Sequence, residues 1–341
     1  MEREESYSKK IDKYKISDSI LGKGSFGEVK KAINSETGEI YAVKILDITN
    51  LPEEAIEKEK AVIKKVFHPN IVNAVDIIST SNNCYIFMDF CDGGDLAGIV
   101  DKNPKGVSEE VTVYIMQQLI GAFLYLEKCE VMHRDIKPEN ILLNKGKVKI
   151  GDFGLGKLGE SNAITKCGTP LYQAPEISLS ISYTNKCDVF SMGLTLYALA
   201  FGRPMFTAKN LRQLMERLEE HRKRNSVQFP SSPAVSQEFK DLIDNMSKWD
   251  PEFRPTWKEI SKHSVLQRKF SGSQMERIMR VLNPSNTENG DLGDSDSLIV
   301  PLPNPKKKPH PQFESTADGH FFNGFKLLGS RKEFIEKFRY Q

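Results

Sequence analysis

Eight consecutive residues, His133 to Asn140, include the acid Asp135, the basic residues Arg134 and Lys137, and the amide Asn140. The carboxylate of Asp135 could accept a proton, the ammonium of Lys137 could neutralise developing negative charge, and the amide oxygen of Asn140 could bind a hard cation. Phosphoryl transfer depends on positioning and charge neutralisation more than on covalent help, so these residue types suit it. The alternative is a polar loop between two apolar runs, with Pro138 marking a turn. We favour a catalytic loop.

A further acidic residue follows this loop at the end of a predicted hairpin. Ile141 to Leu143 and Val148 to Ile150 have the composition of short strands, and Asp152 comes directly after the second. The hairpin should bring Asp152 to the same end as Asp135 and Asn140. We therefore expect Asp152 to bridge Mg²⁺ to phosphates, and Asn140 to hold a second cation.

A glycine-rich run, Gly22 to Val29, lies in the alternating, turn-rich stretch that begins at Tyr14. Its glycines allow backbone N–H groups to approach phosphate oxygens closely. The spacing alone is weak support, because dinucleotide-binding folds use it too, but there the third glycine opens a helix. Here residues 28–33 continue as a strand. The stretch from Tyr14 to Ile48 predicts three antiparallel strands.

Lys44 lies in the third of these strands, where a lysine is usually just solvated. The next element, residues 52–67, has the apolar spacing of a helix, and Glu59 falls within its apolar stripe. A buried carboxylate without a cation is costly. We expect Lys44 to pair with Glu59 and to be held against nucleotide phosphates.

The remaining pattern predicts an α+β protein with two lobes. Residues 73–79 and 84–90 are predicted strands that complete a small β-rich lobe, and the polar break at 89–94 ends it. The larger lobe begins near Leu96 and is mainly helical, with helices predicted over 108–128, from Asp188, around 211–218 and over 236–249. The polar, glycine-bearing composition of residues 155–173 predicts a long loop, and a loop of this length in a compact domain is more often functional than filler.

Composition limits the class of protein. The chain has 341 residues, with 48 Lys and Arg against 46 Asp and Glu, so nothing calls for a nucleic-acid or membrane-surface partner. Five scattered cysteines predict reduced thiols and a cytoplasmic protein, with nuclear entry left open. The charged N-terminus is unlike a signal peptide, and no window has the length of a membrane span.

In order and spacing the chain resembles the eukaryotic protein kinases over about residues 14–266. The blocks that carry the resemblance are Gly22–Val29, Ala42-Val43-Lys44, Glu59 ahead of His68-Pro69-Asn70-Ile71-Val72, His133–Asn140, Asp152-Phe153-Gly154, Ala174-Pro175-Glu176, Asp188 and Arg254. The resemblance implies the bilobal kinase fold over 14–268, divided at residue 90, with an N-terminal extension of 1–13 and a tail of 269–341.

The resemblance also implies roles for individual residues. Asp135 would orient the substrate hydroxyl and take its proton, Lys137 would neutralise the γ-phosphate, and Lys44, Glu59 and Thr169 would complete the catalytic set. ATP, with Mg²⁺ or Mn²⁺ on Asn140 and Asp152, would be the cofactor. Nucleotide contacts would come from Leu21, Gly22, Lys23, Gly24, Ser25, Phe26, Gly27, Val29, Ala42, Lys44, Met88 as gatekeeper, Asp89, Cys91, Asp95, Glu139, Asn140, Leu142 and Asp152.

Three structural ties follow from the same resemblance. Asp188 would hold the backbone of the catalytic loop, Glu176 would pair with Arg254, and Asp95 would approach the ribose or a basic substrate residue. Phe190 stands where the family usually has Trp.

Lys137, together with the segment 168–172, resembles the serine/threonine branch and implies protein substrates with Ser or Thr. Within that branch the sequence is most similar to the autophagy-initiating (ULK-type) kinases, with NIMA-related and calcium/calmodulin-type kinases as alternatives. A pseudokinase or scaffold and a small-molecule kinase are the other readings. The intact catalytic set argues against the first, and the segment 168–176 against the second.

Regulation is predicted from the loop and the tail. Arg134 beside Asp135 suggests a loop held by a phosphate, with Thr165 the activating site and Ser161 second, unless both are ordinary loop hydroxyls. Residues 283–319 have the composition of a disordered linker. The stretch 330–341 has helical spacing and would dock on the lobe or bind a regulatory partner.

Overall fold

The structure is a computed structural model, and it describes residues 6–24, 27–49, 53–152, 171–178 and 183–283. Within these ranges the side chain of Glu59 lies outside the description. The chain divides into two units, Met1–Asp294 and Ser295–Gln341, and every described residue belongs to the first.

The small lobe is built on an antiparallel sheet of six strands in the order β1-β2-β3-β4-β6-β5. The strands are β1 (Lys9–Ile11), β2 (Tyr14–Gly24), β3 (Gly27–Asn34), β4 (Ile40–Asp47), β5 (Ala74–Ser79) and β6 (Asn83–Asp89), and one helix, α1 (Glu53–Lys65), crosses between β4 and β5. Alternating apolar residues bury one face of the sheet, where the rings of Tyr14 and Phe87 stack at 3.7 Å. The five predicted strands and the helix are confirmed.

Gly27 begins β3 at a place where only glycine fits. Its φ is +157°, and a Cβ atom there would lie 1.9 Å from the carbonyl oxygen of Ile45 on β4. Real Cβ atoms do not approach backbone oxygen so closely. The third glycine of the run is therefore required by the pairing of β3 with β4 as well as by any ligand.

The large lobe is mainly helical. Its elements are α2 (Leu96–Lys102), α3 (Glu109–Lys128), the hairpin β7 (Ile141–Asn144) and β8 (Lys147–Ile150), α4 (Pro175–Ser178), α5 (Lys186–Phe201), α6 (Leu211–Arg224), α7 (Gln237–Met246), α8 (Trp257–Ser261) and α9 (Gly272–Leu282). α5 is buried from Cys187 to Phe201. Since it is apolar on every side, it forms the centre of the lobe, with α3 and α7 packed around it.

Two elements differ from the sequence expectation. β1 lies in the predicted N-terminal extension, yet it pairs with β2 and extends the sheet. α9 lies in the predicted tail, yet it packs against α3 with Ile278 and Leu282 buried. The described part of the large lobe thus continues to the end of α9. The predicted linker and the predicted terminal helix fall outside the described residues.

Two expectations from composition can be compared with the described residues. Four of the cysteines lie there, Cys84, Cys91, Cys129 and Cys187, and all four are reduced thiols rather than disulfides. None of the described helices is both long enough and apolar enough to cross a bilayer.

Candidate active site

The central helix of the large lobe, α5, holds the backbone of the catalytic loop through Asp188. Asp188, in the first turn of α5 and 3% exposed, accepts hydrogen bonds from the backbone N–H groups of His133 and Arg134, both at 2.7 Å. Arg134 has a φ of +66°, which is unfavourable for a residue with a side chain. Two bonds to one buried carboxylate hold it there. The predicted role of Asp188 is confirmed.

His133 joins the catalytic loop to the segment before Asp152. Its side chain is buried, with Nε2 at 2.7 Å from the carbonyl oxygen of Gly151 and Nδ1 at 3.3 Å from the backbone nitrogen of Asp135. A carbonyl oxygen can only accept, so Nε2 carries the hydrogen and Nδ1 accepts from Asp135. A second bond, from the Gly151 N–H to the carbonyl oxygen of Asn140, is 2.8 Å long. The two segments are therefore held as one piece.

Asp135 lies between an amide and an ammonium. The Nδ2 of Asn140 donates to the carboxylate of Asp135 at 2.9 Å and to its carbonyl oxygen at 2.8 Å. The Nζ of Lys137 lies 3.1 Å from the same carboxylate oxygen. Burial alone would lower the pKa of Lys137, but the carboxylates of Asp135, Glu139 and Asp152 raise it above its ordinary value. Lys137 is therefore a permanent positive charge beside Asp135.

Asp152 receives the ammonium of Lys44 from the small lobe. The two side chains form an ion pair in which Lys44 is 11% exposed and Asp152 is 47% exposed. Partial burial would raise the pKa of Asp152, but Lys44 lowers it below its usual range. Asp152 has a φ of +57°, so its backbone is also held in an unfavourable region. The predicted partner of Lys44 was Glu59, whose side chain lies outside the described residues, so that pair stays a prediction.

The side chains of Asn140 and Asp152 fit a hard divalent cation. Asn140 is 7% exposed, and its side-chain nitrogen donates to Asp135. The amide oxygen of Asn140 is therefore the atom that would bind a metal. Asp152 supplies an ionised, half-exposed carboxylate. Mg²⁺ commonly takes one or two such protein oxygens together with substrate phosphates. Among the described residues no group of three His, Cys, Asp or Glu side chains could hold a metal without such phosphates.

Five of the predicted nucleotide residues of the small lobe share one face of the sheet. Val29 is the cross-strand partner of both Gly22 and Lys44, and Ala42 is the partner of Met88. Cross-strand partners lie on the same face, as do residues two apart on one strand, so all five face the side from which Lys44 reaches Asp152. Contacts with a nucleotide stay predictions.

The connection between the lobes is fastened to the catalytic hairpin. The Gly93 N–H donates to the carbonyl oxygen of Leu143 at 2.9 Å, and the Leu143 N–H donates to that of Gly94 at 2.8 Å. Leu142, a predicted nucleotide contact, forms an isolated bridge with Asp95. The carboxylate of Asp95 caps α2 by accepting from the Gly98 N–H at 2.8 Å. This cap was not foreseen, although an Asp directly before an apolar helix is an N-cap signal.

Glu176 and Arg254 form the predicted pair. Two bonds of 2.6 and 2.9 Å join the guanidinium to the carboxylate, and the Arg254 side chain is fully buried. The guanidinium also lies 4.8 Å from the ring centre of Phe190. A phenylalanine in place of the usual Trp still provides an aromatic face for this cation.

Several predicted site residues are not placed by the structure. Ser25, Phe26, Ser161, Thr165 and Thr169 lie outside the described residues, as does the side chain of Lys23. Arg134, predicted to bind a phosphate, is exposed, and its guanidinium lies 5.4 Å from the ring centre of Tyr183. Glu139 is exposed within the catalytic loop.

One ionic contact behind the connection between the lobes was missed. Asp89, at the end of β6, accepts from Asn73 through the backbone N–H at 3.1 Å and the side-chain amide at 3.2 Å. It also pairs with Lys149 of β8 at 2.7 Å. Residues so far apart along the chain give no sequence signal for this contact.

Comparison with known proteins gives a consistent result. A family model described as "Protein kinase domain" matches residues 15–266. The serine/threonine-protein kinase atg1 of Dictyostelium discoideum is 31% identical over 273 residues, which cover 76% of this chain and 40% of that protein. The SNF-related serine/threonine-protein kinase of Homo sapiens is 34% identical over 258 residues, 73% of this chain and 33% of that protein.

Two further similarities extend the comparison. Serine/threonine-protein kinase 33 of Mus musculus is 30% identical over 328 residues, 88% of this chain and 66% of that protein. The crystal structure of Rad53 1-466 in complex with AMP-PNP aligns with a TM-score of 0.64 and 31% identity, covering 74% of this chain and 65% of that one. The chain spans between about a third and two thirds of the curated relatives' length. Their similar identities do not select a subfamily.

Proposed function

The chain belongs to the protein kinase family, and from this we propose that it transfers the γ-phosphoryl group of ATP to serine and threonine hydroxyls of proteins. The observation that carries the proposal is the arrangement of Asp135, which Asn140 and Lys137 hold beside the Lys44–Asp152 pair. The named serine/threonine kinases similar to this chain support the class of acceptor.

Each residue has one task in this mechanism. The carboxylate of Asp135 orients the acceptor hydroxyl and takes its proton as the new oxygen–phosphorus bond forms. The ammonium of Lys137, 3.1 Å from Asp135, neutralises charge on the transferred group. Lys44 leaves Asp152 to hold nucleotide phosphates when these enter. Mg²⁺, held by Asn140 and Asp152, would supply charge neutralisation between the phosphates.

The finer parts of the proposal concern control and location. We propose that a phosphate on Thr165, or secondarily on Ser161, pairs with Arg134, whose guanidinium is exposed beside the catalytic loop. Mg²⁺ or Mn²⁺ as the metal, the cytoplasm as the compartment and a regulatory partner for the tail belong to the same proposal. The near balance of charge supports a protein acceptor over a nucleic acid.

The test is transfer of labelled γ-phosphate onto a library of Ser- and Thr-containing peptides. Asp135→Asn keeps the shape of the side chain and removes the base, so we expect the rate to fall by about 10²-fold or more. Asp241→Asn, on the exposed face of α7, is the matched control and should transfer at the normal rate. Equal rates for wild type and Asp135→Asn would refute the assignment. No transfer by wild type, with ATP still bound, would favour a pseudokinase.

A further inference from the structure

The described residues before the matched kinase domain, from Ser6 onward, lie along the outer edge of the small-lobe sheet. The family match begins at residue 15, whereas β1 ends at Ile11. β1 pairs antiparallel with the start of β2, and Ile11 packs on the small-lobe core. The ammonium of Lys9 lies 4.9 Å from the ring centre of Tyr85. This edge strand is therefore anchored to the lobe by backbone pairing and by two side chains.

β2 departs from regular pairing just before the glycine-rich run. Ile16 pairs with Ala32, Ile20 with Lys30 and Gly22 with Val29, so β2 has three residues where β3 has one before the Ile20–Lys30 pair, and one extra residue, Leu21, after it. We call residues 17–21 the bulge. Such a bulge leaves backbone groups without partners on the neighbouring strand and bends the strand that carries it. The direction in which β2 delivers Leu21 and Gly22 depends on how this bulge is held.

The N-terminal residues hold the bulge through one side chain. Asp18, within the bulge, receives the hydroxyl of Ser6 at 2.5 Å on one carboxylate oxygen and the hydroxyl of Ser8 on the other. The Asp18 N–H donates to the carbonyl oxygen of Ser6 at 2.9 Å. We call Ser6, Ser8 and Asp18 the N-terminal clasp. The two hydroxyls lower the pKa of Asp18 below its ordinary value, so the carboxylate stays charged and keeps accepting both bonds.

The bulge is also tied internally, which limits the shapes open to it. Ser17 is 1% exposed, and its hydroxyl lies 2.7 Å from the hydroxyl of Ser19 and 3.1 Å from its backbone nitrogen. Leu21, at the end of the bulge, is 50% exposed on the way to Gly22. Ser17 and the clasp therefore hold the bulge from two sides.

We propose that the N-terminal clasp positions the nucleotide-binding end of β2, so that residues preceding the kinase domain set the affinity for ATP. Ser6, Ser8 and Asp18 are positioning residues that touch neither the nucleotide nor the reacting atoms. The inference rests on the proposed function for the identity of the nucleotide alone. A negative charge on Ser6 or Ser8 would repel Asp18 and open the clasp.

The test compares nucleotide binding and turnover in full-length variants. For the pair Ser6→Ala with Ser8→Ala we expect Kd for a fluorescent ATP analogue, and KM for ATP, to rise about three- to tenfold, because hydrogen bonds to one carboxylate are lost. kcat should stay within about twofold, since the catalytic loop is untouched. Ser8→Asp should raise Kd further. Backbone amides of residues 19–22 should exchange faster with deuterium in each variant.

Three controls distinguish a positioning role of the clasp from a contribution to stability alone. Ser8→Thr keeps the hydroxyl and should restore wild-type Kd. Ser35→Ala removes another exposed serine hydroxyl of the same lobe, one that donates to the Lys13 carbonyl oxygen at 2.7 Å, and should leave Kd unchanged. In an Asp18→Asn background, Ser6→Ala and Ser8→Ala should add little.

The outcomes that overturn the inference are distinct from failure of the proposed function. If Kd is unchanged in Ser6→Ala with Ser8→Ala, even with a lowered melting temperature, the clasp contributes to stability only and does not position the nucleotide-binding end of β2. Equal changes in kcat and Kd would also refute positioning. If wild type binds the analogue but transfers no phosphate, the proposed function fails while the Kd comparison still decides the clasp. No binding of the analogue by wild type would refute both.

Discussion

At the scale of single residues, Asp188 acts on catalysis through the backbone of the catalytic loop. Its two carboxylate oxygens accept from two successive N–H groups, and an amide offers one acceptor only. For Asp188→Asn we expect loss of one charge-assisted bond, about 1.5–3 kcal/mol, and about ten- to hundredfold lower kcat. KM for ATP should change little. Steady-state kinetics would measure both.

The matched control for this substitution lies one turn further along the same helix. Ser191 is buried in α5, and its hydroxyl donates to the Cys187 carbonyl oxygen at 3.1 Å, which is a bond within the helix itself. Ser191→Ala should therefore keep the normal kcat. A similar loss of kcat in both variants would mean that the helix as a whole, rather than Asp188, is responsible.

His221 should make stability depend on pH. It is 4% exposed, and its Nε2 donates to the Ser247 carbonyl oxygen at 2.7 Å. Burial lowers the pKa of His221, and Lys248 and Arg224 act in the same direction, against Asp244 and the Ser247 bond. Because the folded pKa lies below the unfolded value of about 6.5, the contribution is complete above that pH and is lost as pH falls through the folded pKa.

The substitution His221→Gln removes the titrating group but keeps a donor for the Ser247 carbonyl. The free energy of unfolding of this variant, from urea titrations between pH 7 and 5, should fall less steeply than that of wild type. Burial also lowers the pKa of His68, so part of the slope should remain. Equal slopes in the two proteins would contradict the assignment to His221.

At the scale of elements, the Glu176–Arg254 pair joins α4 to the turn before α8. Arg254 also donates to the carbonyl oxygens of Lys248, Trp249 and Lys186, at 2.7 to 2.9 Å. Arg254→Met would leave the Glu176 carboxylate buried without a partner, at a cost of about 3–5 kcal/mol in the free energy of unfolding. Arg254→Lys should recover only part of this, because an ammonium cannot match the planar fork.

Denaturant unfolding measures these changes, and an exposed pair of the same lobe is the control. Arg217 and Glu220 lie 3.0 Å apart on the surface of α6. Arg217→Met should cost less than about 1 kcal/mol, because exposed ion pairs contribute little. A cost for Arg254→Met as small as that for Arg217→Met would show that the buried pair does not hold α4.

An element can be predicted from the sequence when its own residues carry the pattern, and not when its formation depends on a neighbouring element. The fully apolar α5 and the alternating strands around Lys44 carry their own pattern, so they could be predicted. α9 also had a signal, a capping box of Ser271 and Gln274 before apolar residues at helical spacing. β1 had none, because three residues with two lysines form a strand only when β2 offers its edge.

The residue types of the candidate site could be predicted from the sequence, but the contact between Lys44 and Asp152 could not. The loop residues Asp135 and Asn140 are five apart, so their hydrogen bond follows from local chain geometry. Lys44 and Asp152 are 108 residues apart. No periodicity indicates that a lysine of one lobe should pair with this carboxylate, since the contact depends on how the lobes meet.

At the scale of the whole molecule, the site exists only when both lobes contribute to it. Bound MgATP would contact Lys44 in one and Asp152 in the other, so binding should stabilise the whole described fold. At a concentration about a hundred times Kd, the gain is about 2.7 kcal/mol, which appears as a higher melting temperature. Differential scanning fluorimetry with MgATP and with ATP plus a chelator would measure it.

The variant Asp152→Asn tests the metal's part in this stabilisation. Without its carboxylate the metal-dependent share of the shift should disappear, while Asp241→Asn should keep it. If Asp152→Asn retained the full difference between MgATP and chelated ATP, Asp152 would not be a metal ligand.

The burial of Asp188 has one more consequence, which concerns how the protein can be switched off. Freeing the catalytic loop from Asp188 would leave a carboxylate that is 3% exposed without its two backbone donors. A buried charge that loses its hydrogen bonds is costly, so an off state reached that way is unfavourable. The Lys44–Asp152 contact has no such constraint, because it crosses between lobes. Inactive forms of this protein should therefore keep an intact catalytic loop and differ in the placement of Lys44.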